Sequence, residues 1–204
     1  MSFWEERVLP PLTKWACGQR SVDRQRAKLV PRATGRVLEL GIGAGFNLPH
    51  YDASQVEEVL GIDPSEPLRR DAEREAARTA LPVRVIDGTA ASLPVDASSI
   101  DSVVVTFTLC TVPDVERALE EFRRVLRPGG AVHFCEHGLA PDRAVRVAQR
   151  LMEPAWKRAG GGCHLTRDAP AAFAAAGFGL EDLESMYLPG LRPLTWNSWG
   201  IARP

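Results

Sequence analysis

The chain has 204 residues, 45% hydrophobic and 25% charged, with a formal net charge of −1. That length suits one well-packed domain and is short for two of typical size, and the near balance of charge supplies no overall field for nucleic acid. No apolar run reaches the length of a membrane span, and the opening MSFWEERVLPPL carries charges where a signal peptide would be apolar. The expectation is therefore a cytoplasmic protein with no integral membrane segment. Its four cysteines, Cys17, Cys110, Cys135 and Cys163, form no CxxC pair and are expected to be reduced.

In chain order, helical patterns come first, over 3–17 (interrupted by Pro10-Pro11) and 21–30, which stops before Pro31. Residues 36–40 (RVLEL) then form a short apolar run ending in glycines, as a buried strand does. Strands at 58–62, 83–86, 101–106 and 131–135 follow. They alternate with helices at 66–79, 115–126 and 142–158, and a short crossover follows the third strand. Such alternation predicts βαβ units and a parallel sheet covered on both faces. After a helix at 170–176, strand-like runs at 180–187 and 198–202 flank LPGLRPLT, whose prolines and glycine leave no room for a helix. These two runs should pair antiparallel. The fold class is one α/β domain with a seven-stranded, mostly parallel sheet and one reversed strand. Residues 1–34 form a helical lid, 35–138 a ligand-binding core, and 139–204 further helices and the terminal hairpin.

The most informative stretch is VLELGIGAGFN. A strand runs into Gly41, Gly43 and Gly45, and a helix is expected to follow. Glycines there permit positive φ and close backbone approach to a ligand; a purely structural turn is the competing reading. The spacing GxGxG lacks the third glycine of a dinucleotide fingerprint. Glu39 at the strand end would repel a pyrophosphate but suits a ligand with an amino group. Asp63 in GIDPSE, ahead of Pro64, follows about twenty residues later, where a carboxylate accepts ribose hydroxyls. Helix capping is its alternative role.

Taken together, LELGIGAGFNLPHY, GIDPSE, GTAASLPVDASSIDSVV and ALEEFRRVLRPGG resemble the class I S-adenosylmethionine-dependent methyltransferases, in the ubiquinone-biosynthesis-like branch. The resemblance spans nearly all of 36–204. It implies a Rossmann-like fold and S-adenosyl-L-methionine as cofactor, with S-adenosyl-L-homocysteine as product. It further implies that Gly41, Gly43 and Gly45 wrap the methionine moiety with help from Glu39. By the same resemblance Asp63 and Pro64 lie at the ribose, Thr89 and Ala90 near the adenine, and Thr106 and Phe107 at the border of the methionine part. Thr89 stands where the family usually has an acid.

A narrower likeness, carried by HFCEHG, MEPAW, GGCHLTRD and WNSWGIARP, is to the methyltransferase-like alkyl-thiol S-methyltransferases. It implies a small lipophilic thiol as methyl acceptor. The animal members of that group carry a membrane-anchoring segment, which is not expected of this chain. His137, at the carboxyl end of the fifth strand, is the candidate base, with a structural role as its alternative. Trp4, Cys110, Trp156, His164 and Trp196 are candidate acceptor contacts, while Trp15 belongs to the same aromatic inventory. Residues 145, 148, 151, 152, 155 and 156 are expected to face the core or the lid. No metal site is expected: His133, Cys135 and His137 share a strand face without converging on a cavity, and Cys163–His164 has too few partners in reach. Cys163 is not needed as a nucleophile, because direct methyl transfer forms no enzyme-bound intermediate. Competing functions are methyl transfer to a phospholipid amine, a quinone-type ring carbon or a hydroxyl, and cofactor binding without catalysis.

Overall fold

The computed structural model describes residues 4–204, with the side chains of Glu5 and Glu6 outside that description. The expected helix start at Phe3 also lies outside it. A turn of π-helix, Trp4–Val8, leads into α1 (Leu9–Cys17), and α2 follows (Arg20–Leu29). Then come β1 (Gly35–Leu40), β2 (Val56–Ile62), α3 (Glu66–Ala76), β3 (Val83–Ile86), β4 (Ile100–Thr106), α4 (Val115–Val125) and β5 (Leu126–His137). The chain ends with α5 (Arg143–Ala159), α6 (Ala169–Ala175), β6 (Gly179–Tyr187), α7 (Arg192–Thr195) and β7 (Trp196–Arg203). Among the described residues no helix is long and apolar enough to cross a membrane.

The strands lie in the order β3-β2-β1-β4-β5-β7-β6. β1 pairs in parallel with β2 on one side and β4 on the other. β3 and β5 extend the parallel set, and β7 runs antiparallel to both β5 and β6. The expected single reversed strand is therefore β7. Strand order reverses at β1, so the carboxyl ends of β1 and β4 frame the crevice where open α/β sheets bind ligands.

Period-two alternation sorts the strand side chains into two cores. Leu38, Leu60, Val103, Val105, Val132 and Phe134 share one face with Phe122 of α4 and Phe173 of α6. Val37, Val59 and Val104 point the other way, onto Val30, Tyr51 and Ala72. Phe122, Phe134 and Phe173 are fully buried, each contributing about 1.5–3 kcal/mol by removal from water. Asp114 and Asp168 cap α4 and α6, accepting the backbone N–H of Arg117 at 2.9 Å and of Ala171 at 3.0 Å.

Three expectations are corrected. No α-helix follows the glycine loop; the chain makes consecutive turns and one turn of 3-10 helix, Leu48–His50, so that Asn47 and Tyr51 can turn back toward β1. LPGLRPLT does hold a helix, the single turn α7, because Pro193 falls within the first turn, where a missing N–H costs nothing. Finally, α5 covers the stripe read from its sequence only in part: Val145, Ala148, Met152 and Trp156 are half-buried, Leu151 is 78% exposed, and the one buried residue is Gln149. Its amide accepts from Ala140 N–H at 3.0 Å and donates to the carbonyls of Gly138 at 2.9 Å and Pro193 at 3.1 Å. A polar clasp joins the half-buried apolar residues in docking this helix.

Candidate active site

The turn after β1 is held by backbone bonding and by crowding. Gly41 N–H donates to the Ile62 carbonyl at 2.7 Å with φ of +71°, and a Cβ there would lie 2.2 Å from Thr108 Oγ1. Gly43 differs. Its φ is +55°, yet a Cβ would meet nothing closer than the Gly41 carbonyl oxygen at 3.8 Å, so its open side is space a ligand can fill. Gly45 instead packs the loop onto α3, its hydrogen standing where a Cβ would meet Glu75 Cβ at 3.0 Å.

Two carboxylates flank this loop. Glu39 is 1% exposed; its Oε2 accepts from the Tyr51 hydroxyl at 2.7 Å and its Oε1 from Asn47 Nδ2 at 2.9 Å. Asn47 also reaches Thr106 Oγ1 at 3.1 Å, tying the ends of β1 and β4 together. Burial pushes the Glu39 carboxyl up to about 7, against the pull of its two donors. Asp63 accepts from Ser65 N–H at 2.8 Å and Gly43 N–H at 3.0 Å, so this acid and the glycine turn fix one another. Its pKa is raised, burial outweighing those two N–H bonds and nearby Arg69.

These groups line a cavity of about 540 Å³ over the carboxyl ends of β1 and β4. Glu39, Gly41, Gly43, Asp63, Pro64, Thr89, Ala90, Thr106 and Phe107 all border it, whereas Gly45 does not. Sequence reasoning missed Arg26, which also lines the cavity although only 3% exposed. Its guanidinium lies 5.2 Å from the centre of the Phe46 ring and 5.6 Å from that of Phe107, and it donates to the Cys17 carbonyl at 2.7 Å. Its Nε has no partner, and among the described residues no carboxylate forms an ion pair with it. The Glu39 carboxyl feels the guanidinium without pairing to it, and a buried cation held this way can accept an anionic group from the cavity.

The candidate acceptor contacts lie elsewhere. None of Trp4, Cys110, Trp156, His164 or Trp196 borders the cavity. Trp4 is 40% exposed, Trp196 packs edge-on against Tyr187 at 4.8 Å, and His164 Nδ1 is 3.2 Å from Glu153. His137 does not border it either; its Nε2 lies 3.0 Å from Cys163 Sγ, which also receives the Trp156 indole N–H at 3.3 Å. The view that Cys163 has too few partners in reach is thereby corrected, for Cys110, His137 and Cys163 present their donor atoms within 4.8 Å of one another. Beside them Glu136 is buried and accepts from the backbone N–H groups of Thr108, Leu109 and Cys110 at 2.8, 3.0 and 3.4 Å. The positive φ of Phe107, +53°, turns the chain so that these N–H groups converge. Of GGGCHLTRD, Gly160 and Gly161 reach the cavity wall.

The methyltransferase domain model matches residues 38–134, from β1 through β5. A thiol S-methyltransferase of Homo sapiens, TMT1A, is 33% identical over 172 residues, covering 82% of this chain and 67% of its own length. The chain belongs to the S-adenosylmethionine-dependent methyltransferases. Another relative of this methyltransferase, the thiol S-methyltransferase TMT1B of Rattus norvegicus, is 36% identical over 152 residues. That match covers 72% of this chain and 62% of the rat protein, so the chain spans less than two thirds of that relative. In fold the methyltransferase is similar to an S-adenosylmethionine-dependent methyltransferase from Thermotoga maritima. The TM-score is 0.69 at 21% identity, with 99% of this chain and all of the other covered.

Proposed function

We propose that this methyltransferase moves the methyl group of S-adenosylmethionine to the sulfur of a small lipophilic thiol. The observation that carries the reading is the composition of the cavity wall. Away from Glu39 and Asp63 the wall is mainly apolar, with Leu9, Phe46, Phe107, Val112 and Pro113; Lys14 and Asp114 also reach it, Asp114 being engaged as the cap of α4, and no histidine borders it. A hydroxyl or a protonated amine would need a positioned base. A thiol, with an ordinary pKa near 8.5, is a few per cent thiolate at neutral pH and needs little help. The two relatives named as thiol S-methyltransferases support the same reading.

In this reading Glu39 and Arg26 hold the two ends of the cofactor's amino-acid part, carboxylate toward ammonium and guanidinium toward carboxylate. Asp63 receives the ribose hydroxyls, with Pro64 against the sugar. Gly41 and Gly43 let the loop close on the ligand, Thr106 and Phe107 border its methionine end, and Thr89 and Ala90 flank the adenine. Bound S-adenosylmethionine supplies an activated methyl group on a sulfonium. The protein's own work is to align the acceptor and exclude water, which the apolar wall does. Residues 1–34 serve as the lid through Leu9, Thr13, Lys14, Cys17 and Arg26; 35–138 hold the cofactor; and 139–204 add Gly160 and Gly161 to the acceptor wall.

Labelled methyl transfer to a panel of small lipophilic thiols, phospholipid amines and phenols tests the proposal. S-methyl products are expected from the thiols. Turnover confined to amines or phenols would overturn the acceptor, and tight cofactor binding with no turnover on any member would make the chain a binding protein.

A further inference from the structure

We propose that Cys110, His137 and Cys163 form a binding site for a thiophilic divalent cation of the zinc class. The two Sγ atoms and an imidazole nitrogen come from three separate stretches: the loop between β4 and α4, the end of β5, and the turn after α5. All three donor atoms lie within 4.8 Å of one another. Zinc binds thiolate at about 2.3 Å and imidazole at about 2.0–2.1 Å, so tetrahedral donors stand roughly 3.5–3.8 Å apart. The present spacing closes onto that geometry once the 3.0 Å His137–Cys163 contact opens slightly. Two sulfurs and one imidazole select zinc over magnesium or calcium, which take oxygen ligands. Three protein donors leave a fourth position for water or a small ligand.

The surroundings hold the donors in place. Glu136 gathers the N–H groups of Thr108, Leu109 and Cys110, fixing the loop that presents Cys110. Arg167 supports the same loop from the other side, donating to the carbonyls of Leu109 and of Val112 (2.7 Å). The Trp156 indole N–H already addresses Cys163 Sγ, as a donor to a metal-bound thiolate does. Cys135 shows what an isolated buried thiol looks like here: it meets Asn197 Oδ1 at 3.5 Å and, among the described residues, belongs to no such group. Binding the cation expels two protons to solvent. Either both thiols lose one, or Cys110 and a protonated His137 do if Cys163 is already a thiolate. The site lies outside the cavity and stands independently of the acceptor assignment, but it would staple the Gly160–Gly161 wall to the sheet.

Metal analysis of the full chain, purified without chelator, should find about one zinc per chain. Replacement by cobalt(II) should give thiolate-to-metal charge-transfer absorption in the near ultraviolet. Cys110→Ser and Cys163→Ser should each weaken cobalt binding by at least the ~10–100-fold that follows loss of a supporting residue, while Cys17→Ser leaves the spectrum unchanged. Alkylation of the unmodified protein gives a readout that does not depend on a variant folding: Cys110 and Cys163 should be protected by zinc and exposed by a chelator. Absence of charge-transfer absorption after zinc-free protein is given cobalt, absorption that survives Cys163→Ser, or alkylation of both thiols indifferent to zinc would each overturn the site.

Discussion

Glu39→Gln separates the cost of a functional carboxylate from its use. Burial raises the Glu39 carboxyl from 4.5 to about 7 although Tyr51 and Asn47 both donate to it. At about 1.36 kcal/mol per pH unit, that rise corresponds to a folding penalty of about 3 kcal/mol once the pH exceeds 7. The folded protein keeps a proton that the unfolded chain loses from pH 4.5 upward. This group therefore lowers stability progressively between pH 4.5 and 7, and its penalty is constant above. Glutamine keeps the shape and has no charge to bury, but it weakens the bonds from Tyr51 and Asn47, returning about 1 kcal/mol. The net expectation is that Glu39→Gln is more stable than the parent by about 1–3 kcal/mol at pH 8, and that the order reverses below pH 4.5, where only the loss of about 1 kcal/mol from the weakened bonds remains. Urea unfolding of both proteins without cofactor, across that range, measures it; Glu136, also raised to about 7 by burial, cancels in the comparison. The same variant should bind S-adenosylmethionine roughly tenfold or more weakly, since a bond to a charged partner contributes about 1.5–3 kcal/mol. A variant less stable than the parent at pH 8, with unchanged cofactor affinity, would refute the reasoning.

The two glycines of the loop should fail differently. Gly41→Ala meets Thr108 at 2.2 Å and should lower the melting temperature sharply, whereas Gly43→Ala should fold, with a backbone cost of about 1–2 kcal/mol, and lose cofactor binding by calorimetry. Arg26→Met removes a buried cation that lacks an ion pair among the described residues, so unfolding should show stability kept or raised while the KM for S-adenosylmethionine rises about tenfold or more. Asp63→Asn leaves one of the N–H groups of Gly43 and Ser65 without an acceptor; stability should fall by about 1 kcal/mol in urea, and cofactor affinity by about tenfold or more in calorimetry.

The sheet was legible because each strand states its burial in its own residues. RVLEL, DSVVVT and AVHFC are short apolar runs bounded by polar or glycine-rich segments, and they appear as β1, β4 and β5 within a few residues. LRPGG reads as a turn before the fifth strand, and the register shows why: Ile100 pairs with Leu126 and Ser102 with Ala131, so Arg127–Gly130 bulge from the ladder. Helix α5 follows the same principle only in part: Val145, Ala148, Met152 and Trp156 are half-buried, while Leu151 and Ala155, at the edge of the stripe, are exposed. The bonds of Gln149 to two carbonyls and one N–H centre the docked face beside Val145, Met152 and Trp156, which leaves Leu151 and Ala155 turned outward. A lone glutamine in a helix gives no warning of this.

At the site, the residues that proved legible are those whose backbone dictates their position. A glycine turn after β1 and an acid after β2 come together because parallel neighbours end side by side, and Gly43 N–H bonded to Asp63 is the outcome. Arg26 was illegible for the opposite reason. It lies in a helix rich in arginine and lysine, where a cation ordinarily faces water, and only the fold shows one of those guanidiniums enclosed by Phe46 and Phe107. Cys110, His137 and Cys163 were read one by one, because 27 and 26 residues separate them and no motif spacing links them. What joins them is topology: β4 and β5 are parallel neighbours, so the residues just beyond β4 and at the end of β5 meet at one edge. The turn after α5 returns to that edge through the bond from His164 N–H to the Cys110 carbonyl at 2.9 Å. The sequence pattern of a metal site is a spacing within one segment; here the convergence is made by the sheet, and the sheet has to be built before it can be read.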